Sequence, residues 1–198
     1  TDEAYVKANV DEARLMRRLF DLACNMQSHD TDMQLYSLFT DEECYELWSC
    51  NNLYWYLTHA CSPVTDGLMP YREADLLRNI LDRADAALKE GKNQATLRFG
   101  HESCLLPLVA LLELNHYGES YPDVEKLSEQ WRAYDIFPMA SNVQFVFFHK
   151  KGSNDVLVKV LLNEKETKLP VKTDVAPYYH WKDVESYYRE KLDKYQHI

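Results

Sequence analysis

The chain has 198 residues, enough for one ordinary domain with a sizeable core or for a large part of a bigger one. Hydrophobic residues make up 46% and charged residues 27%, which excludes intrinsic disorder, and no apolar run approaches the roughly 18 residues that cross a bilayer. The net charge of −10 argues against broad nucleic-acid binding, because surplus lysine and arginine hold phosphate backbones, but it does not exclude a small anionic substrate.

The first half of the chain is predicted to be helical. Apolar residues recur at spacings of three and four near its start, namely Leu15, Leu19, Leu22 and Met26. They predict a helix over about residues 11–26, followed by a polar loop over residues 27–32. Thr40 and Glu43 form a capping box, in which the hydroxyl and the carboxylate each bond the other's backbone N–H. We therefore expect a helix over about Asp41–His59.

The predicted helix over residues 41–59 is rich in aromatic residues. They are Tyr45, Trp48, Tyr54, Trp55 and Tyr56. Such residues can form a wall on which a ligand stacks or a bulky core between helices, and the core is the more common use. A loop with two prolines follows, and then a helix is predicted over residues 73–88. Gly91 stands where a left-handed cap would end it.

The hydrophobic pattern changes after this second helix. Ala95–Phe99 is a short apolar run, interrupted only by Arg98, of the kind that forms a strand covered on both faces. Residues 103–114 are apolar nearly all round, which predicts a buried helix with its proline in or near the first turn. His101 and Glu102 then lie at the junction between strand and helix.

A hairpin and a closing helix are predicted in the last third of the chain. Residues 142–149 and 156–162 are rich in valine, phenylalanine and leucine and flank a Lys-Lys-Gly-Ser-Asn-Asp stretch, a strong signal for antiparallel strands. Trp181–Tyr195 carries its apolar residues on one side, as a surface helix does. The pattern therefore predicts an α/β chain with a mainly helical portion over residues 1–90 and an α/β portion over residues 91–198.

Gly100, His101 and Glu102 are the residues at which we expect chemistry. Ligands of open α/β sheets bind beyond the carboxyl ends of strands, and a helix N-terminus favours phosphate or another anion. An imidazolium can bind phosphate oxygens, and a protonated carboxylic acid can give its proton to a leaving alkoxide. The glycine lets backbone and ligand approach closely.

The His-Glu pair and the arginine near it also have plainer interpretations. A lone pair of this kind is more often surface or core polarity, so its placement after a buried strand is what makes it a candidate. Arg98 precedes Gly100 by two residues and would share its face on a strand. It is either an electrostatic partner of the site or half of a buried pair with an acidic neighbour, and the residues alone leave both open.

Other site chemistries lack a matching pattern. The cysteines, Cys24, Cys44, Cys50, Cys61 and Cys104, form no CxxC pair, which argues against zinc, and none has an arginine six positions later, as a thiolate phosphatase needs. Cys44, Cys50 and Cys61 could supply a disulfide in an exported protein, but buried free thiols are the simpler interpretation. Residues 30–34 resemble an aspartyl nucleophile pattern that Gln34 breaks, so we predict a loop there.

Several stretches carry a resemblance to a known family. Residues 97–102, Leu-Arg-Phe-Gly-His-Glu, with Leu-Pro-Leu after them, resemble the C-terminal proton-donor motif of the histidine acid phosphatases. His-Asp is the commonest form of that motif, and His-Ala-Glu or His-Glu variants occur. Similarity is greatest to the multiple inositol polyphosphate phosphatase branch. Further stretches resemble that branch in the same order, over residues 38–43, 51–56, 137–142 and 160–164.

The resemblance implies the phosphoglycerate mutase-like fold of the histidine phosphatases and a phosphohistidine intermediate. In that family a histidine of an N-terminal RHGxRxP motif is the nucleophile, its arginines hold the phosphate, and a late acidic residue protonates the leaving group. Carried over, Glu102 is the proton donor and His101 a phosphate ligand. We add Arg98 as a phosphate-binding candidate. The resemblance implies no metal and no cofactor, inositol phosphates or other phosphomonoesters as substrates, and a periplasmic or secreted location.

The sequence departs from the family pattern in one respect: RHG occurs nowhere in it. Residues 98–101 contain the same letters in a different arrangement and already occupy the donor position. Without the nucleophile and its arginines, covalent catalysis is not expected from these residues alone. Because the chain also begins at Thr1, we expect an incomplete fold, the C-terminal part of a phytase-like enzyme. The alternative is a non-catalytic phosphate-binding or protein-interaction module.

Overall fold

A computed structural model describes residues 2–92 and 94–195 and has helices and an antiparallel sheet. The α-helices are α1 (Glu3–Asn9), α2 (Glu12–Asn25), α3 (Asp41–His59), α4 (Ala74–Glu90), α5 (Glu102–Leu111), α6 (Leu127–Gln130), α7 (Ala133–Ile136) and α8 (Trp181–Tyr195). The strands are β1 (Val143–His149), β2 (Val156–Leu162), β3 (Lys165–Glu166) and β4 (Tyr179–His180). Within the described ranges, no helix combines the length and the apolar character that crossing a bilayer requires.

The described residues divide into two units, one up to Leu53 and one from Tyr54 onward. The first unit holds α2, which confirms the helix predicted over residues 11–26, and the shorter α1, which the pattern did not predict. Asp11 caps α2 by accepting from the backbone N–H of Arg14 at 3.0 Å. The ring of Phe20 on α2 packs edge-on against Phe39, with centroids 5.9 Å apart.

The capping box at the start of α3 is formed as predicted. The backbone N–H of Glu43 donates to Thr40 Oγ1 at 3.2 Å, and the N–H of Thr40 donates to Glu43 Oε2 at 2.8 Å. The aromatic residues of this helix do not share one environment. Tyr56 is fully buried, whereas Tyr45 and Tyr54 are each 56% exposed. Neither a continuous stacking wall nor a single core therefore describes the whole set.

Helix α4 ends at its predicted glycine. Gly91 has a φ of 64° and its N–H donates to the carbonyl of Leu88 at 3.2 Å, so the left-handed cap is present. Residues without a Cβ adopt this conformation at little cost. The helix buries Ala74, Leu77 and Leu81.

The strand predicted over Ala95–Phe99 is wrong. The segment pairs with no strand of the described chain, and Leu97 and Phe99 are 75% and 94% exposed. An apolar run of this kind becomes a strand only where neighbouring strands satisfy its backbone and other elements cover its faces. The described sheet lies within residues 143–180 and does not extend to this segment.

Helix α5 is the buried helix that the apolar pattern predicted. Residues 106–111 are buried, and the helix begins one residue earlier than expected, at Glu102. Pro107 lies in the second turn rather than the first, and because proline has no N–H, the carbonyl of Ser103 loses its usual helical donor. At the other end, Tyr188 of α8 donates to the carbonyl of Leu112 at 2.7 Å. The C-terminal end of α5 is therefore held by a residue distant in sequence.

The predicted hairpin is confirmed, with β1 and β2 antiparallel and Val143 opposite Leu162. Both β3 and β4 also pair antiparallel with β2, so β2 is the central strand of this sheet. Val158 and Val160 on β2 are fully buried. The closing helix α8 is confirmed as well, and its buried face carries Trp181, Val184, Tyr188 and Leu192.

Candidate functional site

Helix α5 begins at the His-Glu pair. His101 is the N-cap residue, with extended backbone, and its carbonyl accepts from the N–H groups of Cys104 at 3.0 Å and Leu105 at 3.1 Å. Its side chain makes no capping hydrogen bond, and Glu102 is the first helical residue. Both residues are exposed. An imidazole and a carboxylate therefore stand side by side at the end of the helix that favours anions.

Arg98 lies in the exposed segment before this helix and bonds to α4. Its guanidinium donates to Asn79 Oδ1 at 2.8 Å. The interpretation of Arg98 as half of a buried pair with an acidic neighbour is therefore wrong. At Gly100 an added Cβ would meet no atom within 4 Å, so the described residues do not crowd this position.

The structure adds His59, which the sequence analysis did not select. His59 is the last residue of α3 and is only 7% exposed, and its Nδ1 lies 2.6 Å from Thr58 Oγ1. Its ring centroid is 4.6 Å from that of Trp55, which in turn lies 4.9 Å from Phe137. The only feature of the sequence that could have pointed to His59 is its position as an ionisable residue at the end of an aromatic-rich helix. The packing of Trp55 on Phe137 cannot be inferred from the sequence, because the two residues are far apart in it.

Charges from two other elements reach His59. Burial is the main cause that lowers its pKa, and the positive charge of Arg72 lowers it further, whereas Glu102 raises it. Arg72 belongs to the 3₁₀ turn Met69–Glu73, which packs against α5. In the same turn, burial raises the pKa of Glu73, opposed by Arg72 and by a hydrogen bond with Cys104. The 3₁₀ turn therefore packs on the helix that begins at Glu102, and charges on both elements act on the pKa of His59.

The cysteines are free thiols, as the simpler interpretation predicted. The same interpretation expected them to be buried, and none of them is. Cys50 is exposed and the others are partly exposed. Within residues 2–92 and 94–195, no group of three or more histidine, cysteine or acidic side chains is placed to hold a metal ion.

A family profile, the histidine phosphatase superfamily (branch 2), matches residues 3–163. The chain belongs to this superfamily. The matched range includes Arg98, His101 and Glu102 and extends through the hairpin of β1 and β2. This confirms the family to which the residue motifs pointed.

Similar proteins agree with membership of branch 2. Multiple inositol polyphosphate phosphatase 1 of Homo sapiens is 28% identical over 134 residues, which cover 61% of this chain and 27% of that protein. The multiple inositol polyphosphate phosphatase of Bifidobacterium longum has a similar fold. Its complex with phosphate aligns with a TM-score of 0.77 at 21% identity, covering 89% of this chain and 40% of that one. Its complex with inositol hexasulfate aligns at 0.72 and 20%, covering 86% and 37%.

The fold of this chain is therefore that of a histidine phosphatase, mixed α/β, and it is partial. The chain spans about a quarter of the length of its human relative and about two fifths of the bacterial structures. His101 and Glu102 stand next to each other at the start of α5, the charges of Arg72 and Glu102 act on the pKa of His59, and the side chain of Arg98 bonds to α4. The chemical roles of these residues remain predictions.

Proposed function

We propose that this chain supplies the proton-donor half of a phosphatase that hydrolyses inositol polyphosphates such as phytate. The observation that carries the proposal is Glu102, exposed as the first residue of α5 beside His101, in a chain of the histidine phosphatase superfamily. The relatives named above are inositol polyphosphate phosphatases, and two of the similar structures hold phosphate or inositol hexasulfate. From the resemblance to this family, the proposal also places the enzyme in the periplasm or outside the cell.

The proposed chemistry proceeds in two steps. A histidine nucleophile attacks phosphorus, the bond to the inositol oxygen breaks, and the carboxylic acid of Glu102 gives its proton to the departing alkoxide. Water then attacks the phosphohistidine, and the carboxylate of Glu102 takes a proton from it. His101 binds phosphate oxygens, favoured by the helix N-terminus, and Arg98 can join it by exchanging Asn79 for a phosphate oxygen.

The nucleophile belongs, in this proposal, to a segment outside the 198 residues. The RHGxRxP motif does not occur in them, and the chain spans 27% of its human relative. The exposed run over residues 95–99 fits this arrangement, because its apolar side chains are of the kind that a completed sheet would cover. If the parent gene encodes no RHGxRxP upstream, the chain is instead a non-catalytic phosphate-binding or protein-interaction module.

Replacing the proton donor tests the proposal in the enzyme that carries the nucleophile. Glu102→Gln should lower turnover of inositol hexakisphosphate by about 100-fold or more, because an alkoxide leaving group needs the proton. Turnover of p-nitrophenyl phosphate should fall by about tenfold or less, since its leaving group is already stable. Glu90→Gln, which removes an exposed carboxylate at the end of α4, is the control. Equal losses on both substrates would contradict the donor role.

A separate variant tests phosphate binding. His101→Ala should weaken inhibition by inorganic phosphate by about tenfold, because it removes a charge-assisted hydrogen bond. Competition with a chromogenic substrate measures this directly. Unchanged inhibition would show that His101 is not a phosphate ligand.

A further inference from the structure

One edge of the sheet is open. β1 pairs with β2 on one side, and the described chain places no strand on its other side. The N–H of Asn163 donates to the carbonyl of Asn142 at 2.9 Å, so the backbone of Asn142, directly before β1, faces β2. Because backbone groups alternate in direction along an antiparallel strand, every second residue of β1 turns its N–H and C=O outward. These outward residues are Val143, Phe145, Phe147 and His149. Within residues 2–92 and 94–195, their outward groups form no backbone hydrogen bond.

The hydrogen bonds of β2 give the same assignment of outward residues. Val160 lies opposite Phe145, and its carbonyl accepts from the N–H of Thr167 at 3.0 Å, on the side of β2 away from β1. Phe145 and Val160 are therefore a pair without mutual hydrogen bonds, and the backbone groups of Phe145 point away from β2. Donors and acceptors that alternate at this spacing are suited to pairing with another extended strand.

The open edge lacks the features that usually prevent a strand from pairing with another chain. Edge strands of natural proteins carry charged side chains, proline or a bulge that keeps a neighbour away. β1 has seven residues, Val-Gln-Phe-Val-Phe-Phe-His, and among them are no proline, lysine, arginine or acidic residue. Its register with β2 is continuous from Val143 opposite Leu162 to His149 opposite Val156, so it has no bulge. Two copies of this strand can therefore meet without like-charge repulsion.

We propose that β1 of one copy pairs with β1 of a second copy of this chain, antiparallel about a two-fold axis, to form one continuous sheet. An axis at Val146 places Phe145 opposite Phe147 of the second copy. In the same register, Val143 lies opposite His149 of the second copy, so every outward residue is hydrogen-bonded. An axis at either phenylalanine would leave one outward residue of each copy unpaired. The two phenylalanine pairs also cover rings that are only partly buried in one chain.

The charges at the two ends of β1 complement each other in this register. Asn142 stands before the first residue of β1, and its side-chain amide donates to Glu164 Oε1 at 2.7 Å. Lys150, which is exposed, follows the last residue. With the axis at Val146, Lys150 of one copy lies beside Asn142 of the other and so approaches Glu164 of that copy. The contact occurs twice in the dimer, whereas an in-register parallel pair would place lysine beside lysine.

Sedimentation of this chain over a series of concentrations measures the pairing. The mass should rise from that of one chain, 23.3 kDa, toward twice that value between about 1 and 100 μM. Val146→Glu places two carboxylates opposite each other at the axis and should weaken the dimer by about tenfold. Within each chain the new carboxylate lies opposite Lys159 of β2, which favours it. Val146→Thr, similar in size and uncharged, should keep the dimer. A wild-type chain that stays monomeric, or a dimer that Val146→Glu leaves unchanged, would overturn the proposal.

Hydrogen exchange shows which backbone groups are bonded in the dimer. The amide protons of Phe145 and Phe147 should exchange about tenfold or more slowly at high concentration than in dilute protein. The amide of Val146, which faces β2 in both states, should change much less. Outward amides that exchange equally fast in monomer and dimer would contradict strand pairing. Outward amides already protected in the monomer would assign the edge to another segment of the chain itself, and would also overturn the proposal.

A charge exchange tests the antiparallel register without altering β1. Glu164→Lys should weaken the dimer by about threefold, because the new lysine approaches Lys150 of the second copy. Adding Lys150→Glu to the same chain should restore the wild-type affinity. A double variant that dimerises no better than Glu164→Lys would show that the two ends do not meet. These measurements use no turnover, so their failure leaves the donor role of Glu102 to its own test, and the reverse also holds.

Discussion

At the scale of single residues, His180 has a carboxylate on each side of its ring. Nδ1 lies 3.0 Å from both oxygens of Asp155, and Nε2 lies 3.0 Å from Asp174 Oδ1. Ionised carboxylates only accept hydrogen bonds, so both nitrogens must donate, which only the imidazolium does. The hydrogen bonds that His180 donates to Asp155 and, with a smaller effect, to Asp174 raise its pKa accordingly. The charged ring ties the loop before β4 to the start of β2.

The sign of the resulting pH dependence follows from this raised pKa. The folded protein binds the proton more tightly than the unfolded chain, whose histidines titrate near pH 6.5, so the stabilisation is complete below that pH. It is lost as pH rises through the higher folded pKa. In urea unfolding between about pH 6 and 8, the wild type should therefore lose more free energy of unfolding with rising pH, or gain less, than His180→Gln does. His29→Gln, which changes an exposed loop histidine, should keep the wild-type slope.

Residue identity alone predicted the His-Glu pair but not its neighbours. His101 and Glu102 are adjacent in sequence and carry a family motif, so the sequence suffices to select them. His59 became a candidate only in the folded structure, where it is buried beside Trp55 and where the charge of Arg72, on a separate turn, adds to the lowering of its pKa. Burial and long-range charges depend on the folded arrangement, and no spacing rule encodes them.

At the scale of secondary-structure elements, the helices that carry their own start and stop signals were the predictable ones. The capping box placed the start of α3, and Gly91 placed the end of α4. The run over residues 95–99 has equally suitable side chains for a strand, but a strand exists only with hydrogen-bonding partners. The residues of a segment show whether it is suited to a strand but not whether a partner strand lies beside it, so the strand prediction for residues 95–99 was wrong.

The capping box makes a quantitative prediction for α3. Thr40→Ala removes the acceptor for the N–H of Glu43 and should lower the free energy of unfolding by about 1 kcal/mol. Glu43→Gln keeps an acceptor for the N–H of Thr40 and should change stability much less. Chemical denaturation of the two variants and the wild type compares them directly. Equal losses in both variants would show that charge rather than the reciprocal bonding matters.

Removing the hydroxyl oxygen of Tyr188 tests how much its hydrogen bond between α8 and the end of α5 contributes to stability. Tyr188→Phe leaves the carbonyl of Leu112 without its donor in a fully buried place and should cost about 1–3 kcal/mol in the free energy of unfolding. Tyr5→Phe removes the hydroxyl of a residue that is 62% exposed and should be nearly neutral. A neutral Tyr188→Phe would mean that the bond contributes little to holding α8 on α5.

At the scale of the whole molecule, the order of the motifs was more informative than any one of them. Five stretches similar to one phosphatase branch, in the same order, predicted a family that the profile over residues 3–163 confirms. The partial fold was also expected, since the nucleophile motif is missing from the sequence. That residues 95–99 lie outside the described sheet was not predictable, because their apolar composition is the same with or without neighbouring strands.

The open segment before α5 should be the first place where a protease cuts the folded chain. Residues 94–100 form no helix or strand, and Phe99 is 94% exposed, so the backbone can extend into a protease active site. Brief chymotrypsin treatment should cleave after Phe99, and Phe99→Ala should slow this cut without altering the circular dichroism spectrum. Mass spectrometry of the early products identifies the site. Earlier cleavage at a tyrosine within a helix would contradict the expectation.

The contact between Trp55 and His59 has a spectroscopic consequence. A protonated imidazole quenches the excited state of an indole that it touches, whereas a neutral one does so weakly, and these two ring centroids are 4.6 Å apart. The intrinsic emission of Trp55 should therefore dim when His59 gains its proton. A protein in which Trp48, Trp131 and Trp181 are replaced by phenylalanine would report protonation of His59 on acidification as a loss of fluorescence, with no label added.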